Sequence, residues 1–310
     1  MLANEFLETA DNNGKAVQTG NTDMNDNWNR VSIEANLISL PDIYWRLKEI
    51  LATHDYSLQD VAQLIVYDPG MTARMLRIVN SAYFGFAAQI DTVNHAVSIL
   101  GVQQIEELIL TTSIADALGD YECEHLDVRQ FWLRSVYSAI AARDLAGECS
   151  LMDGERMFVA GLLSGIGHLI MYQSVPILAQ RAQREANQSG KALYLAERDV
   201  IGFDHARVAS LLMKNWKLPD SHVQVIRNHL EPDPEADYYL ETAIVHIAAL
   251  IGNAFAENRP LDEVLIHADN KAWDVTGLDT GHCEAIDRLV AEQLNGVVNM
   301  LFPNLKCAAV

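Results

Sequence analysis

Few side chains in this sequence have the type and setting to do chemistry. Arg134, in the segment FWLRS, could grip a phosphate or carboxylate through its planar guanidinium fork. Its plainer role is an ion pair with a nearby carboxylate such as Asp153 or Glu155. His168 lies in the apolar run GLLSGIGHL at Gly161–Leu169, one turn beyond Ser164 and Gly165, and reads as a hydrogen-bonded core histidine. His205 follows Asp204 at a helix start, where the aspartate caps and the imidazole packs in the first turn. His229 falls near a helix end, where the dipole favours an imidazolium. His246 is embedded among Ile244, Val245 and Ile247 and is expected to pack with one nitrogen satisfied. No Ser-His-Asp arrangement, phosphate-binding glycine loop or dinucleotide fingerprint accompanies these residues.

The elements that must position them read as helices. Extended alternating segments and a βαβ rhythm are absent, and no repeat of solenoid period is found. Pro41 opens a helix to about Thr53, and Ser57 with Asp60 forms the start of another. Asp68 and Pro69 pair a capping carboxylate with a proline at the first helical position. Asn80 and Ser81 follow that helix and can satisfy its last carbonyls. Further helices are expected at 92–101, 102–118, 128–146, 154–172, 176–188, 192–201, from Asp204, from Pro219, at 235–258 and at 279–301. Residues 1–30, rich in Asn, Asp, Gly and Thr, read as a mobile tail. An acidic loop at 120–127 divides a first helical lobe, 31–125, from a second, 126–310.

Composition narrows the function classes. The chain has 310 residues, half of them hydrophobic, and so can bury a large core. A net charge of −20 argues against nonspecific nucleic-acid binding and against docking on an anionic membrane. Asn4, Glu5 and Glu8 interrupt the place where a signal peptide would need an apolar core. The apolar run Met157–Tyr172 is shorter than the ~20 residues that span a bilayer. Its glycines predict a buried helix packed closely on its neighbours. Cys123, Cys149, Cys283 and Cys307 are scattered without zinc-site spacing, which fits a reduced, cytoplasmic setting.

Three segments in order carry a family resemblance. They are LPDIYWRLKEI at Leu40–Ile50, DPGMTARMLRIVNSAYFG at Asp68–Gly85 with HAVSILG at His95–Gly101, and FWLRS with GLLSGIGHL and FDHARVASLLMKNWKLPD at Phe203–Asp220, with IRNHLEP just beyond. Together they resemble the HDOD family, whose name marks an HD-related output domain, with order and spacing holding from about Ser39 to Leu301. The resemblance implies an all-α fold, a helical N-terminal lobe packed on an HD-like helical lobe, and a part in bacterial signalling. HD-type enzymes hold metal through an early His, a central His-Asp and a late Asp. By resemblance these fall near Arg134, at Ser164 and Gly165, and near Ala249. Serine is a poor ligand, glycine and alanine offer none, and arginine is a cation. His205 and His229 match histidines of the wider HD families and are the only metal ligands to be expected, if any. Without a carboxylate they provide no second anchor for a bridging hydroxide.

The reading is therefore a noncatalytic regulatory protein that needs no cofactor and binds a protein partner or a small, nucleotide-like ligand. The depleted pocket of Arg134, Ser164, Gly165, His168, His205 and His229 is its expected ligand site. The alternative is a metal-dependent phosphohydrolase acting on a nucleotide or cyclic dinucleotide. A third reading is a scaffold that forms a homodimer through its helices.

Overall fold

Helix-start chemistry recurs along the chain, and in the computed structural model it starts most of the helices where the sequence places them. The structure describes residues 19–303, apart from His54, Ala82 and Asp120, with side chains from Met24 onward. Residues 1–18 of the expected tail, Cys307 and the first residue of the acidic loop lie outside the described residues. Among the described residues there are sixteen helices and no strand.

The first lobe is built from α2 (Asp42–Leu51), α3 (Leu58–Val66), α4 (Pro69–Val79) and α5 (Val93–Leu118). Ser57 and Asp60 make a reciprocal capping box on α3, and the Asp68 carboxylate accepts the Met71 N–H at the start of α4. Asn80 then clamps the following loop: its amide donates to the carbonyls of Leu76 and Ile90, and its carbonyl accepts the Ile90 N–H. α5 joins two helical pieces at Gly101, whose φ of 77° lies in the left-handed region that glycine tolerates. That kink is the break expected there.

The second lobe contains α6 (Val128–Glu148), α7 (Gly154–Leu163), α8 (Ile166–Ser174), α9 (Pro176–Ser189), α10 (Leu193–Ile201), α11 (His205–Asn215), α12 (Asp220–Asn228), α13 (Tyr239–Glu257), α14 (Leu261–Leu265), α15 (Asn270–Thr276) and α16 (Thr280–Leu301). α6 is its axis, flanked by α7, α13 and α16. One apolar core runs through both lobes. The apolar stretches Gly154–Ser174 and Tyr239–Glu257 lie largely inside it.

Close backbone approach explains the small residues of the central run. A Cβ on Gly161 would lie 2.5 Å from the Ser138 carbonyl oxygen and 2.7 Å from Ala139 Cα on α6. A Cβ on Gly167 would fall inside the His205 carbonyl at the start of α11. Larger residues would push these helices apart.

Three boundaries differ from expectation. The segment assigned to a tail up to residue 30 holds the first twelve residues of α1 (Thr19–Leu37). Trp28 packs edge-on against Phe203 at 5.1 Å and carries the Arg207 guanidinium 4.4 Å from its ring centre, while Val31 and Ala35 are fully buried. Tertiary packing on α8 and α11 overrides a polar composition. α1 therefore docks on the second lobe although its last seven residues fall in the stretch assigned to the first. The helix expected over 154–172 is two helices, broken at Ser164 and Gly165. The last of the three, expected from Glu235, begins at Tyr239.

Candidate functional site

The break between α7 and α8 sets the geometry of the site. Ser164 Oγ donates to the Gly161 carbonyl at 2.8 Å, turning its hydroxyl back onto its own helix. Gly165, at φ −98° and ψ 0°, restarts the chain toward α8. A Cβ on Gly165 would collide with Arg134 Nη2 and lie 3.2 Å from its Cζ. The guanidinium of Arg134, sent across from α6, occupies the space a side chain at 165 would take.

Around that guanidinium lies a cavity of about 670 Å³. α6 contributes Arg134, the α7–α8 break Ser164 and Gly165, α8 His168, α11 His205, and α13 Ala249 and Asn253. His229 enters from the end of α12, and the α9–α10 hairpin forms the outer wall with Asn187, Lys191 and Tyr194. Each of the six residues expected at the pocket lines this one space, as does Ala249. A smaller apolar hollow of about 180 Å³, lined by Phe131, Tyr172 and Leu193, adjoins it across Arg134 and His168.

Arg134 does not pair with Asp153 or Glu155, as its plainer role required. Asp153 binds Arg156 and Gln103, and Glu155 accepts the Tyr83 hydroxyl. Arg134 Nη2 instead lies 3.1 Å from His168 Nδ1, and Nη1 lies 3.5 Å from Asn253 Oδ1. Because a guanidinium only donates, His168 Nδ1 accepts and the ring proton sits on Nε2. Burial lowers the guanidinium pKa from its ordinary value, and the fields of Glu197 and Glu257 oppose that shift.

The sequence reading missed Glu197, the carboxylate at the centre of the site. It is 2% exposed on α10. Its Oε2 accepts from His205 Nδ1 at 2.8 Å and from the His205 backbone N–H at 3.0 Å. Its Oε1 lies 3.0 Å from His168 Nε2, set off the ring's N–H axis. The His168 and His205 rings stack with centroids 3.9 Å apart. Burial alone would raise the Glu197 carboxyl, but His205 and His168 outweigh it and hold it below the usual carboxylate range. Burial, then the neighbouring His205, push His168 down to about 4, so its ring is neutral at pH 7. A sequence signal existed: Glu197 stands four residues after Leu193 and four before Ile201, on the apolar stripe of α10.

Two histidine readings need correction. The dipole of α12 does not make His229 an imidazolium. The ring is 1% exposed, and burial followed by His205 lowers it to about 3, while Nδ1–H donates to the Ile226 carbonyl at 2.7 Å. His246 satisfies both nitrogens, with Nδ1–H donating to the His229 carbonyl and Nε2 accepting the Asp269 N–H. His205 behaves as expected at its helix start, where Asp204 accepts the Arg207 N–H.

The donors do not suit a paired-metal centre. His168, Glu197 and His205 offer atoms within 4.8 Å of one another, but those atoms already face each other. A permanent cation stands 3.1 Å from His168, and Gly165 and Ala249 bring no ligand. A divalent ion here would have to displace the Glu197 contacts against that charge.

Known proteins share both the sequence pattern and the fold. The HDOD domain matches residues 37–232, more than half of the chain. The match takes in every expected site residue but stops short of α13, so it does not cover the late-Asp position near Ala249. An uncharacterised protein of Treponema pallidum (strain Nichols) is 26% identical over 207 residues, covering 64% of this chain and 39% of its own length. The chain thus spans about two fifths of that relative. A Shewanella amazonensis SB2B protein provisionally named a phosphohydrolase superposes with TM-score 0.66 at 23% identity, covering 89% of this chain and 98% of that one. A Marinobacter aquaeolei VT8 protein provisionally named for signal transduction gives TM-score 0.63 at 19% identity, over 92% and 69%. At these identities the likeness establishes the all-α fold.

Proposed function

The chain belongs to the HDOD family, and from that premise we propose that it is a noncatalytic regulatory protein whose HD-like cavity recognises a ligand. One observation carries this reading. Arg134 projects its guanidinium into the space that Gly165 leaves vacant, so a fixed positive charge stands where an HD enzyme would need a carboxylate to hold its cation. A charge built into the chain can attract an anion but cannot lower the pKa of a bound water as a metal does. The signal-transduction name of the Marinobacter neighbour is in keeping with a regulatory part. Ligand occupancy would be passed on to a protein partner of a bacterial signalling pathway.

The rival reading, a metal-dependent phosphohydrolase, draws on the Shewanella neighbour's name and on the His168–Glu197–His205 group. Turnover separates the two. Purified protein incubated with bis(p-nitrophenyl) phosphate and manganese should release no nitrophenol above the rate of an Arg134→Ala, Glu197→Gln control. Manganese-dependent turnover that Glu197→Gln removes would establish the hydrolase instead.

A further inference from the structure

Resting on that recognition reading, we infer that the cavity takes a small organic oxyanion, a phosphate or a carboxylate, with its charged oxygens against Arg134. The chain carries 42 acidic residues against 22 basic ones. Even so, among the described residues no carboxylate comes within ion-pair distance of this guanidinium. The other basic side chains at the cavity are provided for: Lys191 pairs with Asp199, and Arg259 with Glu257. The buried carboxylate Glu197 accepts from His205 through Oε2 and rests its Oε1 beside His168 Nε2.

What Arg134 does touch is neutral: the lone pair of His168 Nδ1, and the Asn253 amide oxygen at 3.5 Å, the limit of a hydrogen bond. Five N–H donors are thus met by two uncharged acceptors, with the Phe131 ring centre 5.7 Å from the guanidinium carbon and the cavity alongside. A partly buried cation with no counter-ion in contact is favoured when something else supplies the negative charge. A ligand oxyanion would do so through the bidentate geometry that guanidinium favours.

Size and lining argue for an organic ion over a bare inorganic one. About 670 Å³ exceeds what a single phosphate needs and lies in the range of small-molecule sites. Tyr194 and Leu250 add apolar surface to the lining. His229 also lines this space, with its Nδ1 proton committed to Ile226.

The test uses the full chain at pH 7.5, with ionic strength held constant by sodium chloride. Thermal melts are recorded against sodium phosphate, sodium acetate and phenyl phosphate for wild type, Arg134→Met and Arg134→Lys. Wild type should rise by a few degrees at saturation. Phenyl phosphate should bind more tightly than inorganic phosphate. Arg134→Met should lose the response, and Arg134→Lys should weaken it at least tenfold. In oxyanion-free buffer Arg134→Met should melt no lower than wild type, because it removes a charge that has no ion-pair partner in contact. Whether phosphate or acetate gives the larger rise identifies the head group. The inference is overturned if no oxyanion moves the wild-type midpoint, or if a folded Arg134→Met responds as wild type does. Should Arg134→Met not fold, an undiminished response in Arg134→Lys overturns it equally. Failure here without manganese-dependent turnover removes the oxyanion but leaves the recognition reading in place; turnover removes that reading itself.

Discussion

Acidification from pH 7 to pH 5 should weaken this fold through buried imidazoles of the cavity wall, His168 and His229 most strongly. His246, also lowered by burial, acts in the same direction. His168 and His229 are held at about 4 and about 3 in the folded chain, against 6.5 for a free imidazole. Between pH 6.5 and about 4 the unfolded chain binds protons that the folded chain refuses, so stability falls as pH falls. Each tenfold difference in proton affinity between the two states corresponds to about 1.4 kcal/mol. At pH 5, below the free-imidazole value but above both folded ones, each imidazole should cost about 2 kcal/mol and the two about 4. Glu197 adds nothing in this window, because its carboxyl is held below the ordinary range and its contribution is lost only under 4.5. Glu155 works the other way, since burial raises its carboxyl and acid relieves that cost. A variant comparison cancels such background. Urea unfolding followed by tryptophan fluorescence at pH 7 and pH 5 gives the loss directly. His229→Asn, which keeps an N–H for the Ile226 carbonyl, should lose about 2 kcal/mol less than wild type over the same interval. Equal losses in the two proteins would refute the idea that burial keeps His229 neutral.

Three substitutions probe the packing of the site. Gly165→Ala places a methyl in the space of the Arg134 guanidinium, the far end of a flexible side chain. It should fold with a loss of about 1 kcal/mol and weaken oxyanion binding about tenfold, read by denaturant midpoint and calorimetry. Gly167→Ala meets rigid backbone at His205 and should cost at least about 3 kcal/mol, measured the same way. Glu197→Gln leaves the His205 Nδ1–H and backbone N–H sharing one weaker acceptor, and should lower stability by about 2–4 kcal/mol at pH 7.

Much of the architecture is legible in the sequence because helix starts are written in local chemistry. Ser57, Asp68, Asp127, Asp204 and Asp279 all accept a backbone N–H at the start of their helices. The small residues of the central run foretell close helix contacts for the same reason. What local pattern cannot carry is partnership across the fold. α1 reads as a polar tail because its anchors, Trp28, Val31 and Ala35, acquire meaning only against α8 and α11. Glu197 resembles one more charge on an acidic helix until the turn at Gly202, φ 99°, folds it back onto the first turn of α11. His229 sits where a dipole argument calls for a cation, and only its burial reverses that. The pocket residues themselves were assembled through family resemblance, which supplies three-dimensional neighbours that spacing alone does not.

Manganese binding to the metal-free full chain, counted by electron paramagnetic resonance of the free ion, tests most directly whether Arg134 has taken the place of a metal. Added manganese should stay free, with no site filled near stoichiometry at micromolar concentrations. One or two ions held tightly per chain and released by Glu197→Gln would contradict that replacement.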